Sequence, residues 1–442
     1  MVRLMNPKVT VIMPSLNVVK YIRECIESVV RQTLQEIEIL CVDAGSTDGT
    51  LEILREYEKK DFRVHIILSN VKSYGTQVNL GLRHATGAFV AIVETDDYIE
   101  CDMFEKLYYI AIENDVDYVK ADYDWFNELS DDARVFGRVR LFGSDERFYN
   151  KVICPIYNNH LYLFDYNLWK GIYNRNFLIE NDIFLNETSG AAYQDIGFSQ
   201  LVLMHARKAW YSNLSFYRYN LGRAGSSSNS LNGLIYAKNE FERLLELHVQ
   251  KKCIKNIKGL YLRMAMSFLG EYKVYIKRNN FLKTSEEIQF CVNWFVEELR
   301  TKIKCGIIEK EDFEGSYFEE LEYILNQPDN FVQEVRLYDE KRERVINIVK
   351  NNSNGVVIYG AGNVGKRVLV ELNANRINVL AFADANANNS SIANIPIFKL
   401  RDCLKKFPLA TYIIANKNNY QEMYALYINE GGSDTHCIKA WE

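Results

Sequence analysis

The chain has 442 residues, room for roughly three domains at about 150 residues each. Its 53 Lys and Arg against 58 Asp and Glu leave a formal charge of −5, which argues against nucleic-acid binding on a broad basic surface. The composition, 48% hydrophobic and 25% charged, is globular, and no apolar run approaches the roughly 20 residues of a membrane span. Nine scattered cysteines without a CxxC pair fit reduced thiols better than a disulfide framework. The N-terminal MVRLMNPKVTVIMP has no long apolar core or small-residue cleavage site, so no signal peptide is expected and a cytoplasmic location is.

In chain order, apolar strands are expected at Val9 to Met13, Ile37 to Val42, Val64 to Leu68, Phe89 to Glu94 and Tyr118 to Lys120. Amphipathic helical patterns fall between them, at Tyr21 to Arg31 and Thr50 to Lys59. Such alternation predicts a mostly parallel sheet covered by helices, with ligands bound beyond the carboxyl ends of the strands. From about Leu231 to Lys350 the pattern is helical almost throughout, a connector whose plain role is packing and spacing. A new strand–helix pattern then begins with VVIYGAGNVGKRVLVEL and continues through NVLAFAD, TYIIAN and HCIKAW. The expected domains are therefore 1–230, 231–350 and 351–442.

The loops after the strands carry the chemistry. Strand one ends in Pro14-Ser15-Leu16-Asn17. Strand two ends in VDAGSTDGT, where Gly45 and Gly49 allow a tight turn and Ser46, Thr47 and Asp48 can cap a helix. Asp43, at that strand end, can accept hydrogen bonds from a base or ribose. Strand four ends in Glu94-Thr95-Asp96-Asp97. Asp102 and Glu105 make a capping box for the following helix, which leaves Asp96 and Asp97 without a structural task. Adjacent carboxylates repel unless a cation or donors meet them, and a hard divalent cation shared with a diphosphate is the economical partner.

Two stretches, VIMPSLNVVKYIRECIESVVRQTLQEIEILCVDAGSTDGTLEILREY and NLGLRHATGAFVAIVETDDYI, resemble the family 2 glycosyltransferases of the GT-A fold. The resemblance is dense over about the first 120 residues and extends more loosely to about Ser230. It implies an α/β GT-A domain and a nucleotide-sugar donor site made by Pro14, Ser15, Asn17, Asp43, Asn79, Glu94, Asp96 and Asp97. The family's DxD-type motif corresponds to Glu94-Thr95-Asp96, with Asp96 holding Mn²⁺ or Mg²⁺ and Asp97 in support. The pattern departs in three places: Ala44 replaces a second acid, Val78 stands before Asn79 where the family has Arg, and Glu94 opens the metal motif.

Glycosyl transfer with inversion needs a base for the acceptor hydroxyl. Asp195, in GAAYQDIGFSQLVL, is the candidate, and the family carries an acid at this place; Gln194 stands beside it where a Glu is commoner. The competing reading is that Asp195 caps the helix it begins. Asp182 is the runner-up base. Leu168 to Leu178, LWKGIYNRNFL, resembles an acceptor- or donor-facing segment of the family and implies a sugar-stacking Trp169 and a phosphate-binding Lys170, although a core Trp169 is equally expected. The polar loop Tyr217 to Ser230 brings Arg218 and Arg223, which can meet a diphosphate or acceptor phosphate. No histidine has ligand spacing.

Strand VVIY runs into Gly360-Ala361-Gly362-Asn363-Val364-Gly365, and Asp384 follows Gly365 by 19 residues. That is the dinucleotide-binding pattern, with glycines for the turn and an acid for a ribose hydroxyl. Arg367 stands where a phosphate-binding NTPase loop needs Ser or Thr, and there is no YxxxK pair. A small Rossmann-like module for binding, regulation or assembly is expected, with NAD or another nucleotide as its candidate ligand. The whole predicts an inverting, metal-dependent transferase moving a sugar from a UDP-sugar to a glycan hydroxyl in bacterial surface polysaccharide synthesis. The acceptor is a candidate lipid-linked glycan and any membrane association peripheral. The alternative is a non-catalytic nucleotide-sugar-binding assembly or regulatory subunit.

Overall fold

The computed structural model describes residues 6–130, 132–143, 145–190, 193–223, 230–251, 255–282, 284–387, 390–416 and 418–441. Strands β1 (Val9–Ser15) and β2 (Ile37–Asp43) are buried at every position. Largely apolar runs of this kind form where a parallel sheet is covered on both faces, and the buried Thr10 and Glu38 inside them bond to one another at 2.6 Å. Together with β3 (Val64–Leu68) and β4 (Phe89–Ile92) they make a parallel set in the order β3-β2-β1-β4. The sheet continues with β5 (Tyr98–Ile99), β6 (Tyr118–Ser130), β7 (Ala133–Val139), β8 (Val152–Ile153), β9 (Gly171–Asn174) and β10 (Ala209–Asn220). Its full order is β3-β2-β1-β4-β9-β6-β10-β5, with β7 on β6 and β8 on β10. Because β2 lies on one side of β1 and β4 on the other, the direction of winding reverses between β1 and β4. Their carboxyl ends frame the crevice where such sheets bind ligands.

Two compact units emerge: residues 1–124 with 139–331, and residues 125–138 with 332–442. The helices Gly233–Lys251, Ile257–Arg278, Glu286–Lys304 and Tyr317–Asn326 belong to the first unit. The helix Pro328–Lys350 falls almost wholly in the second. Strand β6 is much longer than the Tyr118 to Lys120 expected, because polar residues such as Asp122 and Asn127 break the apolar run without ending the pairing. Asp122, though charged, is buried and accepts from the Tyr149 hydroxyl at 2.7 Å and from the Leu141 amide at 3.0 Å.

The second unit holds β11 (Val356–Tyr359), β12 (Val379–Ala383), β13 (Ser391–Ile392), β14 (Ile395–Phe398), β15 (Thr411–Ile414) and β16 (Cys437–Lys439), ordered β13-β14-β12-β11-β15-β16. All neighbours are parallel except the β13–β14 hairpin. Val357, Tyr359, Ala381, Tyr412, Ile414 and Tyr427 pack its core. The glycine loop joins β11 to the helix Asn363–Ala374. Gly365 is required by close packing, since a Cβ there would lie 1.9 Å from the Gly360 carbonyl oxygen. Within this unit the end of β7 contributes too: Asn363 Nδ2 donates to the Arg138 carbonyl at 2.6 Å.

The helix Met103–Asn114 corrects one expectation. Asp102 is its N-cap residue but makes no side-chain cap bond, pairing with Lys106 at 2.5 Å instead. Glu105 accepts from the Thr33 hydroxyl at 2.9 Å, so the capping box does not form. Tertiary partners outcompete the local bonds.

Candidate active site

The loops after β1 and β2 are bonded to one another before anything else is added. Asp43 Oδ1 accepts from the amides of Gly45 and Ser46, both at 2.9 Å, and Oδ2 from the Ser46 hydroxyl at 2.6 Å. Asn17, at a left-handed φ of 53°, accepts from the Thr47 amide at 2.9 Å, and its own amide donates to Ser46 Oγ at 3.0 Å. Asp48 accepts from the Thr50 and Val19 amides at 3.0 Å, starting the helix Thr50–Lys60 after Gly49 turns the chain at φ 104°. The buried Asp43 thus shapes its own turn, while Asn17 is exposed on the same loop pair.

Sequence reasoning missed Gln77. This buried residue of the helix Tyr74–His84 donates to the carbonyls of Ser15 at 2.9 Å and Val42 at 2.7 Å. It ties the ends of β1 and β2 together. Pro14 is buried and its carbonyl accepts from Thr95 Oγ1 at 2.8 Å, which joins the loops on either side of the crevice. Ser15 is buried at the end of β1.

The acids after β4 each have a partner, contrary to the expectation that Asp96 and Asp97 lack structural work. Asp97 Oδ1 accepts from the Asn220 amide at 2.7 Å, which fixes the end of β10. Asp96 Oδ2 accepts from Arg223 Nη1 at 2.7 Å. Glu94 accepts a short hydrogen bond from the Tyr74 hydroxyl, and its amide donates to the Tyr217 hydroxyl at 3.0 Å. Burial, reinforced by Asp96 and Asp195, pushes the Glu94 carboxyl up to about 8 against the pull of the Tyr74 bond. Burial and Asp96 raise Asp97 well above the carboxylate range.

Asp195 stands in the first turn of the helix Gln194–His205, which follows Tyr193 at a left-handed φ of 68°. Among the described residues its Oδ1 accepts from the adjacent Ile196 amide, at 2.9 Å. Burial raises it to about 6, while its own turn's amides and the positive charge of Arg263 pull the other way. Glu94 and Asp195, about a hundred residues apart in the chain, lie within electrostatic reach of one another. Arg263, Glu240 and Glu271 belong to helices that the sequence marked only as spacers, and all three feel the charge of Asp195. Nothing in the periodicity of those helices singles them out.

Five sequence-based assignments meet other surroundings. Lys170 is buried and bonded to Asp165 at 3.2 Å, alongside Lys120 at 2.8 Å, so it is an interior charge and not a phosphate ligand. Trp169 stacks on Tyr217 at 4.3 Å and Tyr219 at 5.3 Å between ring centroids, a core arrangement that leaves 6% of it exposed. Arg218 pairs with Glu100 at 2.7 Å and Asp124 at 3.0 Å. Asn79 is buried and holds Leu185 through both its amide nitrogen and oxygen at 2.9 Å, and Glu187 at 2.9 Å. Gln194 is likewise buried against Thr188 and Gly190. For Trp169, Arg218 and Asn79 the partners come from distant segments, whereas Gln194 and Lys170 meet partners four to six residues away that the fold turns back onto them. Asp182 is exposed after the helix Arg175–Glu180. Residues 224–229 of the polar loop lie outside the described residues.

Ala44 and Val78, the departures from the family pattern, are both buried, and the Ala44 amide donates to the Ser15 carbonyl at 3.0 Å. In the second unit, Asp384 accepts from the Ala361 amide at 2.8 Å and the Asn386 amide at 2.9 Å. The expected ribose ligand is thereby engaged in holding the glycine loop.

The first unit is thus an α/β fold with acids gathered beyond the carboxyl ends of its parallel strands. Residues 10–171 match the family described as glycosyl transferase family 2, and this part of the chain is a glycosyltransferase domain. It is 28% identical over 275 residues to an uncharacterized glycosyltransferase, EpsJ, of Bacillus subtilis, covering 62% of this chain and 76% of EpsJ. With GlyA of Streptococcus pneumoniae the identity is 31% over 239 residues, 51% of this chain but only 32% of GlyA. Among solved structures, TarS 1–349 of S. aureus has a TM-score of 0.51 at 20% identity, over 76% of this chain and 92% of TarS 1–349. That similarity establishes the GT-A architecture. TarS has also been solved with UDP-GlcNAc. Among the described residues no helix is long and apolar enough to cross a membrane.

Proposed function

We propose that the first unit transfers a glycosyl group, with inversion, from a UDP-sugar to a hydroxyl of a glycan acceptor in bacterial surface polysaccharide synthesis. The carrying observation is the convergence of Asp195, raised by burial to about 6 and bonded to the Ile196 amide of its own turn, with the Glu94–Asp97 acids beyond β4. In this reading Asp195 takes the acceptor proton as the acceptor oxygen bonds to the sugar's anomeric carbon. The bond from that carbon to the diphosphate breaks, and the diphosphate leaves with the electron pair. A base near 6 is mostly ionised at neutral pH yet still basic enough to accept a proton. Pro14, Ser15, Asn17 and Asp43 form the loop pair proposed to hold the nucleotide, the last two by keeping that pair in shape. UDP is preferred because a solved protein of this fold carries a UDP-sugar.

Mn²⁺ or Mg²⁺ fits the acids after β4 as a shared ion. The donors are hard carboxylate oxygens, and burial, with their mutual repulsion added, raises Glu94 and Asp97. Among the described residues, however, no three acids, histidines or cysteines are arranged to hold an ion, so the ion alone would bind weakly, through Asp96, and donor phosphate oxygens would complete the set. Asp96 would hold the ion, with Glu94 and Asp97 behind it. When bound, the ion would neutralise charge developing on the departing diphosphate. NAD binding by the second unit is proposed separately, on its glycine loop alone.

The deciding experiment is thermal unfolding of wild type and Asp96→Ala with UDP, GDP and CDP, each with and without Mn²⁺. Nucleotide at about 100 times its dissociation constant should stabilise by roughly 2.7 kcal/mol. A UDP effect that needs Mn²⁺ and vanishes in Asp96→Ala supports the reading. A metal-independent effect, equal in both proteins, removes Asp96 from the donor site.

A further inference from the structure

Arg223 is the basic side chain that bonds directly to the acids after β4 among the described residues. Its Nη1 lies 2.7 Å from Asp96 Oδ2, with 30% of the arginine side chain and 14% of the aspartate exposed. The scaffold around this pair does not depend on it. Asn220, the last residue of β10, donates its amide to Asp97 at 2.7 Å and its side chain to the Asp96 carbonyl at 3.3 Å. Asn220 Oδ1 then accepts from the Gly222 amide at 3.1 Å, turning the chain so that Arg223 arrives beside Asp96. Asn220 thus holds the Asp96 carbonyl and the Gly222 amide beside Arg223, by bonds separate from the guanidinium–carboxylate pair.

We propose that Arg223 is an exchangeable counter-ion. A divalent cation taking Asp96 Oδ2 displaces the guanidinium, which then bonds the diphosphate of the donor carried on that same cation. This inference rests on the metal-dependent reading above and deepens it. A guanidinium suits both partners, because its planar fork of N–H donors matches carboxylate and phosphate oxygens alike. The exchange keeps the charge balanced: one cation replaces another at Asp96, and the displaced positive charge meets the incoming phosphates.

The signature is a pair of effects of opposite sign. Arg223 competes with the cation for Asp96, so its removal should tighten binding of the cation alone. It also attracts the diphosphate, so its removal should weaken the nucleotide. A purely structural role would weaken both. The test is Mn²⁺ titration of the full chain, followed by electron paramagnetic resonance of the free ion, and UDP titration at saturating Mn²⁺ by calorimetry. Wild type, Arg223→Gln, Arg223→Lys and Asp96→Asn are compared, with thermal midpoints as the folding control. Arg223→Gln should bind Mn²⁺ roughly three- to fivefold more tightly, the worth of a partly exposed ion pair. It should bind UDP about tenfold or more weakly, the worth of a charge-assisted bond. Arg223→Lys should show both effects, smaller. Unchanged or weaker Mn²⁺ binding in Arg223→Gln, or unchanged UDP binding, overturns the exchange while leaving the metal site standing. Mn²⁺ binding in Asp96→Asn equal to wild type overturns the metal-dependent reading itself, and the exchange with it.

Discussion

Both units place an aspartate at the end of a parallel strand beside a glycine turn, yet the two kinds of loop use their acids differently. Asp43 after β2 and Asp384 after β12 each bond two backbone amides of nearby loop residues. They are the mortar of their turns. Across the crevice of the first unit, Glu94, Asp97 and Asp195 are crowded together, and burial pushes all three above the ordinary carboxylate range. A strand-end acid is therefore no mark of a ligand site by itself. Crowding of acids that exceeds their local donors is the more telling feature, and in this chain it occurs in the first unit.

The largest effect that sharpens this contrast is expected from Asp195→Asn. The amide cannot take a proton, so transfer should fall about a thousandfold while UDP binding persists. Near-normal turnover would return Asp195 to a helix-start role. The pH dependence adds a second reading. With Asp195 near 6, kcat/KM should rise with pH through about 6 and fall about tenfold per unit below it, because only the ionised form accepts the proton. A flat profile between pH 5 and 7 would contradict it.

A buried charge cluster offers the next largest effect, on stability instead of turnover. Asp165 faces Lys120 and Lys170, and Tyr211 donates to its other oxygen at 2.5 Å. Burial alone would raise its carboxyl, but the two ammonium groups outweigh this and hold it below the usual range. Asp165→Asn strands two buried lysines and should cost about 3–5 kcal/mol in urea unfolding. The sign in pH follows: the Asp165 contribution is complete above its unfolded value near 3.9 and is lost as pH falls towards its lower folded value. Lys120, depressed by burial to about 8 despite its carboxylate partner, sheds its charge readily, so the cost of Asp165→Asn should shrink above pH 8. A loss below 1 kcal/mol would mean that the cluster is hydrated.

How much of this was legible in the sequence depends on whether partners are near in the chain. β1, β2 and β4 read correctly because covered parallel strands are largely apolar runs, and VVIYGAGNVG reads as a strand and glycine turn for local reasons. Lys170 misled because a charged residue in a family-like segment looks surface-facing, and spacing alone does not reveal the buried Asp165, while Trp169 took the core place that was one of its two expected settings. The Arg223–Asp96 pair, 127 residues apart, and the nearness of Arg263 to Asp195 were invisible for the same reason.

Smaller effects test the second unit. Gly365→Ala forces a methyl to within 1.9 Å of the Gly360 carbonyl oxygen, and overpacking against backbone should cost about 1–3 kcal/mol. The loss should appear in hydrogen exchange of β11 and the helix Asn363–Ala374, with no change in β1 to β4. Asp384→Asn should cost less, about 1 kcal/mol, because it keeps an acceptor oxygen for one of the Ala361 and Asn386 amides and loses the charge that strengthens both bonds. If Asp384 is mortar, that small loss is the same with and without NAD. If it also meets a ribose, NAD stabilises wild type more than the variant, and the two kinds of strand-end acid are no longer separate: one carboxylate would then be serving its own turn and a ligand at once.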